Sequence, residues 1–286
     1  MSDRLNCVFS ADQSYAPGLV VATASMLQNT SASVSLWVFD GGLSTRFRRR
    51  LRRMIEGYGA SVTFLRVDPG RFVAMPTSGH ITLASYYRFL ISELLPESVH
   101  RTLYLDPDVI VVDDVAELEQ TDLKGRSLGA VAWPGRTFEN ANDRLVERAA
   151  FLSSSLPYFN AGVLVLDVDR WRNDLVSERL FEFAYANCDA LRWHDQDVLN
   201  AVLCRDWAAL DQRWNVQAGP LDEKWEDPAG LCNRSKLLHF CGSLKPWHPE
   251  ATGGSVDVFW RCVDSTAFAG ERYFSGRGPL SRTLLP

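Results

Sequence analysis

Short apolar runs alternate with longer segments of helical periodicity along most of the chain. The short runs have the length of strands, and the longer segments repeat their apolar residues every three to four positions, as helices packed on a sheet do. The pattern predicts strands at residues 5–10, 33–39, 61–66, 103–105, 128–133, 158–168 and 236–240. It predicts helices at residues 17–28, 44–58, 83–95, 176–187 and 196–203. This alternation indicates an α/β domain with a single sheet flanked by helices.

Two segments break the alternation. Residues 134–157 are polar and rich in serine around a short helical stretch, so we expect a mobile excursion from the sheet. After residue 249, Gly253 and Gly254 interrupt the chain, and aromatic residues then alternate with arginines. We therefore expect a main domain at residues 1–249 and a poorly structured C-terminal appendage at residues 250–286.

The composition is that of an ordinary globular protein. Hydrophobic residues make up 46% of the 286 residues and charged residues 23%, with a formal net charge of −5 at pH 7. The negative balance argues against nucleic acid as the main partner. No apolar run approaches the roughly 18 residues that a membrane-spanning helix needs.

The cysteines and the N-terminal residues bear on the compartment. The six cysteines are scattered and include no C-x-x-C pair, which argues against a zinc site and is typical of reduced cysteines. The first ten residues, MSDRLNCVFS, lack the long apolar core of a secretory signal. We therefore expect a cytoplasmic protein.

The most informative stretch is RTLYLDPDVIVVDD, at residues 101–114. Asp106 and Asp108 stand in a turn between two apolar runs, and buried carboxylates need a partner. A divalent cation is the natural partner, since Mg²⁺ and Mn²⁺ bind one or two carboxylates plus substrate phosphates. From these residues alone, a solvated acidic turn and an aspartate nucleophile at Asp106 stay open. A calcium loop does not, because its required glycine is Val111 here.

The predicted helix at residues 44–58 carries a dense set of arginines. Its apolar stripe contains Phe47, Leu51, Ile55 and Tyr58. The other faces carry Arg46, Arg48, Arg49, Arg50, Arg52 and Arg53. These arginines form either a solvated face or a patch that attracts anionic lipid head groups.

Four stretches in order carry a resemblance to a known family. They are ADQSY after the first strand, LYLDPDVIV, FNAGVLVLDVDRWR with HDQDVLN, and HFCGSLKPW. Together they resemble the family 8 glycosyltransferases, retaining enzymes with a GT-A type fold built on a mixed sheet. The resemblance covers roughly residues 5–248, and bacterial members that add galactose or glucose to lipopolysaccharide look most similar.

The resemblance implies a role for each matching residue. It gives the metal to Asp106, Asp108 and His239, and it places Asp195 and Gln196 at the reacting sugar and the incoming acceptor. The sugar nucleotide is expected to contact Asp12, Ser14, Tyr15, Arg88, Asp106, Asn160, Ala161, Gly242 and Lys245. Ser14 departs from the pattern, because close bacterial relatives often have asparagine at this position.

The resemblance implies an Mn²⁺-dependent hexosyltransferase, with Mg²⁺ as the second choice, that moves galactose or glucose from a UDP-sugar to a glycan or a lipid-linked acceptor. The sequence offers no compelling nucleophile for a double displacement, so front-side attack is favoured. The expected place is the cytoplasm, with weak contact to the inner face of the plasma membrane through the arginines and the appendage.

Two other functions stay open from the sequence. A haloacid-dehalogenase-like phosphatase needs Thr or Ser at position 110, where this chain has Ile. A catalytically silent sugar-nucleotide-binding protein could share the same motifs without the activity.

Overall fold

Strands and helices alternate along the chain in the predicted order. The structure is a computed structural model that describes residues 4–218 and 234–272. The strands within these residues are β1 (Leu5–Ala11), β2 (Val34–Asp40), β3 (Ser61–Arg66), β4 (Arg101–Leu105), β5 (Val109–Val111), β6 (Leu128–Thr137), β7 (Pro157–Asp167), β8 (Trp207–Ala209), β9 (Val216–Gln217) and β10 (Leu237–His239). The α-helices are α1 (Ala16–Asn29), α2 (Thr45–Gly57), α3 (Ile91–Leu94), α4 (Val115–Glu119), α5 (Phe138–Ala141), α6 (Asp143–Arg148), α7 (Val168–Asn173), α8 (Val176–Asn187), α9 (Asp195–Val202) and α10 (Gly254–Asp264).

Seven strands form the main sheet, in the order β3-β2-β1-β4-β7-β6-β8. β1 is parallel to β2 and β4, whereas β7 is antiparallel to both of its neighbours. The sheet is therefore mixed. Successive strand residues point to opposite faces, so apolar side chains lie on both faces, and helices cover each of them. On β1, Cys7 and Phe9 enter the core with α1 and α2, while Val8 enters the core with α8 and α9.

A second, three-stranded sheet lies beside the main one, in the order β5-β10-β9. The sequence predicts a single sheet and misses this one. Pro107 turns the chain after β4, so β5 leaves the main sheet and pairs antiparallel with β10. In this register Val109 lies opposite His239, which brings the end of β10 to the acidic turn.

The segment predicted as one helix at residues 83–95 is helical, but most of it is wound more tightly. Leu83–Leu90 is a 3₁₀-helix, and α3 continues it for one turn before Pro96. Thr82 caps the start, because its side chain accepts a hydrogen bond from the amide of Ala84. The segment contributes buried Tyr86 and Arg88 to the centre of the molecule.

Residues 134–157 pack against the sheet and do not form the predicted excursion. β6 continues to Thr137, which pairs with Pro157 on β7, and α5 and α6 follow. Phe138, Leu145 and Leu152 are buried in the core. The prediction fails because these few apolar residues lie at helical spacing and are outnumbered by polar ones.

The start of the C-terminal segment is also packed, contrary to the prediction of a poorly structured appendage. α10 contacts α1, and its residues Val256, Phe259 and Val263 lie on one buried face. Phe268 follows and packs on Phe47 of α2, with ring centroids 5.7 Å apart. The aromatic residues Tyr273 and Phe274, and Arg277, lie outside the described residues, as does Cys232.

Residues 4–218 and 234–272 contain no helix with both the length and the apolar character required to cross a bilayer.

Candidate active site

A pocket opens at the carboxyl end of the parallel strands β1 and β4. Both strands end at the same edge of the sheet, so the residues that follow them come together there. The pocket is lined by all of the predicted site residues except Asp12 and Ser14. Asp12 caps the 3₁₀ turn after β1, where its Oδ1 accepts hydrogen bonds from the amide and the hydroxyl of Ser14. These two residues therefore support Tyr15, which reaches the pocket.

Asp106, Asp108 and His239 form one cluster of potential metal ligands. Their nearest ligand atoms all lie within 4.8 Å of one another. Nε2 of His239 is 3.3 Å from Asp108 Oδ1 and 3.8 Å from Asp106 Oδ2. Gly162 of β7 permits this approach, since a Cβ atom there would lie 2.1 Å from His239 Cε1. Two carboxylates and an imidazole in this arrangement fit a divalent cation of the Mg²⁺ or Mn²⁺ type.

Arg88 joins two of the predicted carboxylates. Its Nη2 donates to Asp106 Oδ1 at 2.8 Å, and its Nε lies 3.0 Å from Asp195 Oδ2. Its Nη1 donates to the carbonyl of Ala161, and the guanidinium stacks over the ring of Tyr104. Burial lowers the pKa of Arg88, but the two carboxylates outweigh burial and raise it, so the guanidinium stays charged.

Lys245 pairs with the other carboxylate of the acidic turn. Its buried Nζ donates to Asp108 Oδ2 at 2.5 Å and to the carbonyl of Phe240 at 2.8 Å. Gly242, with φ of +97°, allows the chain to turn between His239 and Lys245. Burial raises the pKa of Asp108, but Lys245 and His239 outweigh it and hold that pKa well below its usual range. For Asp106, burial outweighs Arg88 and raises the pKa.

Asp195 and Gln196 stand at the start of α9 and line the same pocket. Gln196 Oε1 accepts a hydrogen bond from the amide of Ala161 at 3.0 Å. Asp195 is buried and faces Arg88, and its Oδ2 accepts no hydrogen bond from a described residue. The preceding residue, His194, has φ of +53°, so the backbone is held in an unfavourable conformation at the entry to this helix.

Asp197 holds that entry in place. It is fully buried, and its Oδ2 accepts from the amides of Arg192 and Trp193 at 2.6 and 2.7 Å. Oδ2 also accepts from Asn142, and Oδ1 accepts from the hydroxyl of Tyr158 at 2.6 Å. Asp197 was not predicted as a site residue, although it stands two residues after Asp195 in the stretch HDQDVLN.

Several other pocket residues were missed because no local motif marks them. Trp133 and Trp193 meet edge to face at one wall, with ring centroids 5.4 Å apart. His80 lies on another wall, where burial and the charge of Lys245 lower its pKa to about 4. Trp133 comes from β6, whereas Trp193 and His80 come from separate loops, and only the folded chain brings them to the pocket.

Sequence and fold both resemble those of known proteins. The model of the family described as Glycosyl transferase family 8 matches residues 6–251. The chain is 33% identical to General stress protein A of Bacillus subtilis over 276 residues, 92% of this chain and 94% of that protein. It is 26% identical to the lipopolysaccharide 1,2-glucosyltransferase of Escherichia coli over 264 residues, 90% of this chain and 77% of that protein. The fold is similar to that of galactosyltransferase LgtC, solved with donor and acceptor sugar analogues: the TM-score is 0.77 at 27% identity, over 92% of this chain and 96% of that one.

Proposed function

The chain belongs to glycosyl transferase family 8, and we propose that it transfers galactose or glucose from a UDP-sugar to a saccharide or a lipid-linked glycan. The mixed sheet and the similarity to LgtC confirm the predicted GT-A type fold. One observation carries the proposal: an acidic turn, a histidine and a lysine from distant parts of the chain meet in a single pocket. A donor with a negatively charged diphosphate needs such a combination of metal ligands and fixed positive charge.

We assign the metal to Asp106, Asp108 and His239. A divalent cation bound there supplies positive charge that offsets the charge developing on the leaving diphosphate. Carboxylate oxygens suit both Mg²⁺ and Mn²⁺, whereas an imidazole nitrogen moves the preference toward Mn²⁺. The proposed cofactor is therefore Mn²⁺, with Mg²⁺ as a weaker substitute.

We assign the donor to the residues around this cluster. Lys245 contributes a positive charge beside Asp108, which suits it to the diphosphate together with the backbone of Gly242. Tyr15 lines the pocket, and Asp12 and Ser14 form the turn that carries it, so these three residues are proposed to hold the nucleoside. Arg88, Asn160 and Ala161 are proposed to hold the sugar, and the hydrogen bonds that tie Arg88 to Ala161 and Asp106 support a rigid sugar site.

The reaction we propose is a front-side displacement. The acceptor oxygen bonds to the anomeric carbon on the face from which the diphosphate oxygen departs, and the leaving phosphate takes the acceptor's proton. Asp195 is ion-paired with Arg88, which favours a role in stabilising positive charge on the sugar over a role as covalent nucleophile. The backbone amide of Ala161 donates a hydrogen bond to the side-chain oxygen of Gln196, which holds Gln196 beside the proposed sugar site.

The acceptor and the place of action follow from the relatives and from the surface. The Escherichia coli relative is named for transfer to lipopolysaccharide, and we propose an acceptor of the same kind, a glycan that is free or attached to a lipid. Arg46, Arg49 and Arg53, here called the outer arginine face, lie exposed on α2 and form no ion pair with a described residue. We propose that this face makes weak contact with an anionic membrane.

We propose that residues 1–249 form the catalytic domain and that residues 250–286 contact the acceptor or the membrane. Glu271 pairs with Arg50 of α2, so the described part of this segment lies beside the arginine-rich helix. The five described cysteines are free, which suits the cytoplasm, where thiols stay reduced.

A phosphatase function receives no support. Oδ1 of Asp106 already accepts hydrogen bonds from Arg88 and Tyr104, which suits a fixed ligand better than a nucleophile. The family match likewise points to glycosyl transfer and not to phosphate hydrolysis.

A panel of UDP-sugars tests the proposal. Purified enzyme with Mn²⁺ is incubated with UDP-galactose, UDP-glucose and UDP-N-acetylglucosamine, and UDP release is measured with and without oligosaccharide acceptors. Slow UDP release from one of the two hexose donors, accelerated by an acceptor, is the expected result. Release of phosphate from phosphomonoesters without any UDP release would contradict the proposal.

A further inference from the structure

Asn215 stands behind the predicted metal ligand His239 and takes part in no function assigned so far. It ends the 3₁₀ turn Gln212–Asn215, immediately before β9, and its side chain is buried. Its Oδ1 lies 2.9 Å from Nδ1 of His239. Its Nδ2 lies 2.8 Å from Oδ1 of Asn160, and that oxygen also lies 2.9 Å from the amide nitrogen of Gly162.

The direction of every hydrogen bond in this chain of contacts is fixed by one backbone group. The amide of Gly162 can only donate, so the side-chain atom of Asn160 that it meets must be the oxygen. That oxygen can only accept, so Asn215 must present its NH₂ group to Asn160. Asn215 is then left with its oxygen facing His239, and an amide oxygen accepts a hydrogen. Nδ1 of His239 therefore carries a hydrogen.

The consequence falls on the other ring nitrogen. With Nδ1 protonated and bonded to Asn215, the lone pair of the neutral imidazole is on Nε2. Nε2 is the atom that faces Asp108 and Asp106, at 3.3 and 3.8 Å. Packing against Gly162 fixes where the ring lies, but it does not decide which nitrogen carries the hydrogen.

We propose that Asn215 is a positioning residue that selects the tautomer and the orientation of His239, so that Nε2 completes the metal site with Asp106 and Asp108. Asn160 holds Asn215 in the required orientation by accepting a hydrogen bond from its NH₂ group. The resemblance also assigns Asn160 to the donor sugar, and its Oδ1 is already used in this contact. The inference rests on the proposed function only in its use of a divalent metal. Removal of a hydrogen-bond partner behind a metal-bound histidine typically lowers metal affinity about 10- to 100-fold.

The test measures metal binding directly, without sugar or turnover. Mn²⁺ is titrated into wild type and into Asn215→Leu, and free Mn²⁺ is followed by electron paramagnetic resonance. Asn29→Leu is the control, because the exposed Asn29 side chain bonds the carbonyls of Ser25 and Val111 and no atom of the pocket. The expected result is a loss of affinity of about 10- to 100-fold for Asn215→Leu and less than twofold for Asn29→Leu.

A spectroscopic measurement on wild type guards against a variant that simply fails to fold. Protein labelled with ¹⁵N-histidine and saturated with diamagnetic Mg²⁺ is examined by NMR, and the His239 signals are assigned by their loss in His239→Ala. The proposal expects a hydrogen on Nδ1 and none on Nε2. A hydrogen on Nε2 alone, or unchanged Mn²⁺ affinity in a folded Asn215→Leu, overturns it. If wild type itself binds neither ion, the metal assignment fails, which is a different outcome.

Discussion

Nζ of Lys245 lies 2.5 Å from Oδ2 of Asp108, and both side chains are almost fully buried. Asp108 lies in the turn between β4 and β5, and Lys245 lies in the segment after β10. Lys245 makes the shortest ion pair with Asp108, and His239 Nε2 lies 3.3 Å from the other carboxylate oxygen. Burial of either charge without a partner is costly. The pair therefore fixes the segment after β10 against the acidic turn, and at the same time keeps Asp108 ionised for a metal.

Replacement of Lys245 by methionine tests both effects. Leaving a buried carboxylate without its partner typically costs about 3–5 kcal/mol, so the free energy of unfolding without metal should fall by that order. Lys236→Met is the matched control, because Lys236 pairs with the exposed Asp113 and Glu117, and such pairs contribute about 0–1 kcal/mol. Urea denaturation of both variants checks the prediction, and equal losses would contradict it.

The pH dependence of this pair has a definite sign. Since the folded state lowers the pKa of Asp108, the pair adds stability above the unfolded pKa of aspartate, about 3.9. That contribution is lost as the pH falls below this value. Lys245→Met should therefore lose less stability than wild type between pH 5 and 3, each compared with its own value at about pH 7.

His239→Ala should remove most of the activity and most of the metal-dependent affinity for UDP. The imidazole is the one nitrogen ligand of the cluster, so Mn²⁺ should also support faster transfer than Mg²⁺ in wild type. Isothermal titration of UDP with and without Mn²⁺ measures the effect. If the variant kept an unchanged Mn²⁺ dependence of UDP binding, the histidine would have only a structural role.

Asp197 should tolerate asparagine far better than alanine. Asparagine can keep its oxygen toward the amides of Arg192 and Trp193 and turn its NH₂ group to the hydroxyl of Tyr158, at a cost within about 1 kcal/mol. Alanine leaves these donors unsatisfied and should cost at least ~3 kcal/mol. Burial raises the pKa of Asp197 in the folded state. The free energy of unfolding of wild type should therefore fall as the pH rises above the unfolded pKa of this carboxyl group. Asp197→Asn should remove that pH dependence. Thermal denaturation at pH 5 and pH 8 separates these outcomes.

The outer arginine face should bind anionic membranes weakly and in a salt-dependent way. Each arginine near such a surface contributes about 1 kcal/mol, so the variant with Arg46, Arg49 and Arg53 changed to Glu should lose nearly all binding in a liposome flotation assay. A control variant with Arg126, Arg144 and Arg179 changed to Glu alters the net charge equally on other elements. An equal loss of liposome binding in both variants, or no binding by wild type at low salt, would contradict membrane binding by the outer arginine face.

Much of the fold could be predicted, because six of the seven strands of the main sheet are marked locally, whereas the three-residue β8 was missed. Residues 61–66 form a strand and residues 176–187 a helix, as their patterns predict. The small sheet could not be predicted in the same way. The strand predicted at residues 236–240 contains β10, but β5 has only three residues, and the pairing of β5 with β10 joins residues far apart in sequence.

The site likewise contains residues that a local sequence pattern marks and residues that only tertiary structure brings together. The acidic turn has a local signature, since two carboxylates interrupt apolar residues. Asn215 has none, because its significance comes from Asn160 and His239, which reach it only through tertiary structure. Phe138 and Phe259 are buried in the core, although their segments were predicted to be mobile or poorly structured because most of the neighbouring residues are polar.

The central claim is that this chain splits a UDP-sugar with a metal held at the acidic turn. The most direct measurement is the rate of Mn²⁺-dependent UDP release from UDP-galactose or UDP-glucose by wild type, Asp106→Asn and Asp108→Asn. Loss of a ligand removes charge stabilisation worth several kcal/mol, so each variant should be at least ~1000-fold slower while its circular dichroism stays that of wild type. Near-normal release by either folded variant, or release by wild type that chelation of the metal leaves unchanged, would contradict the account.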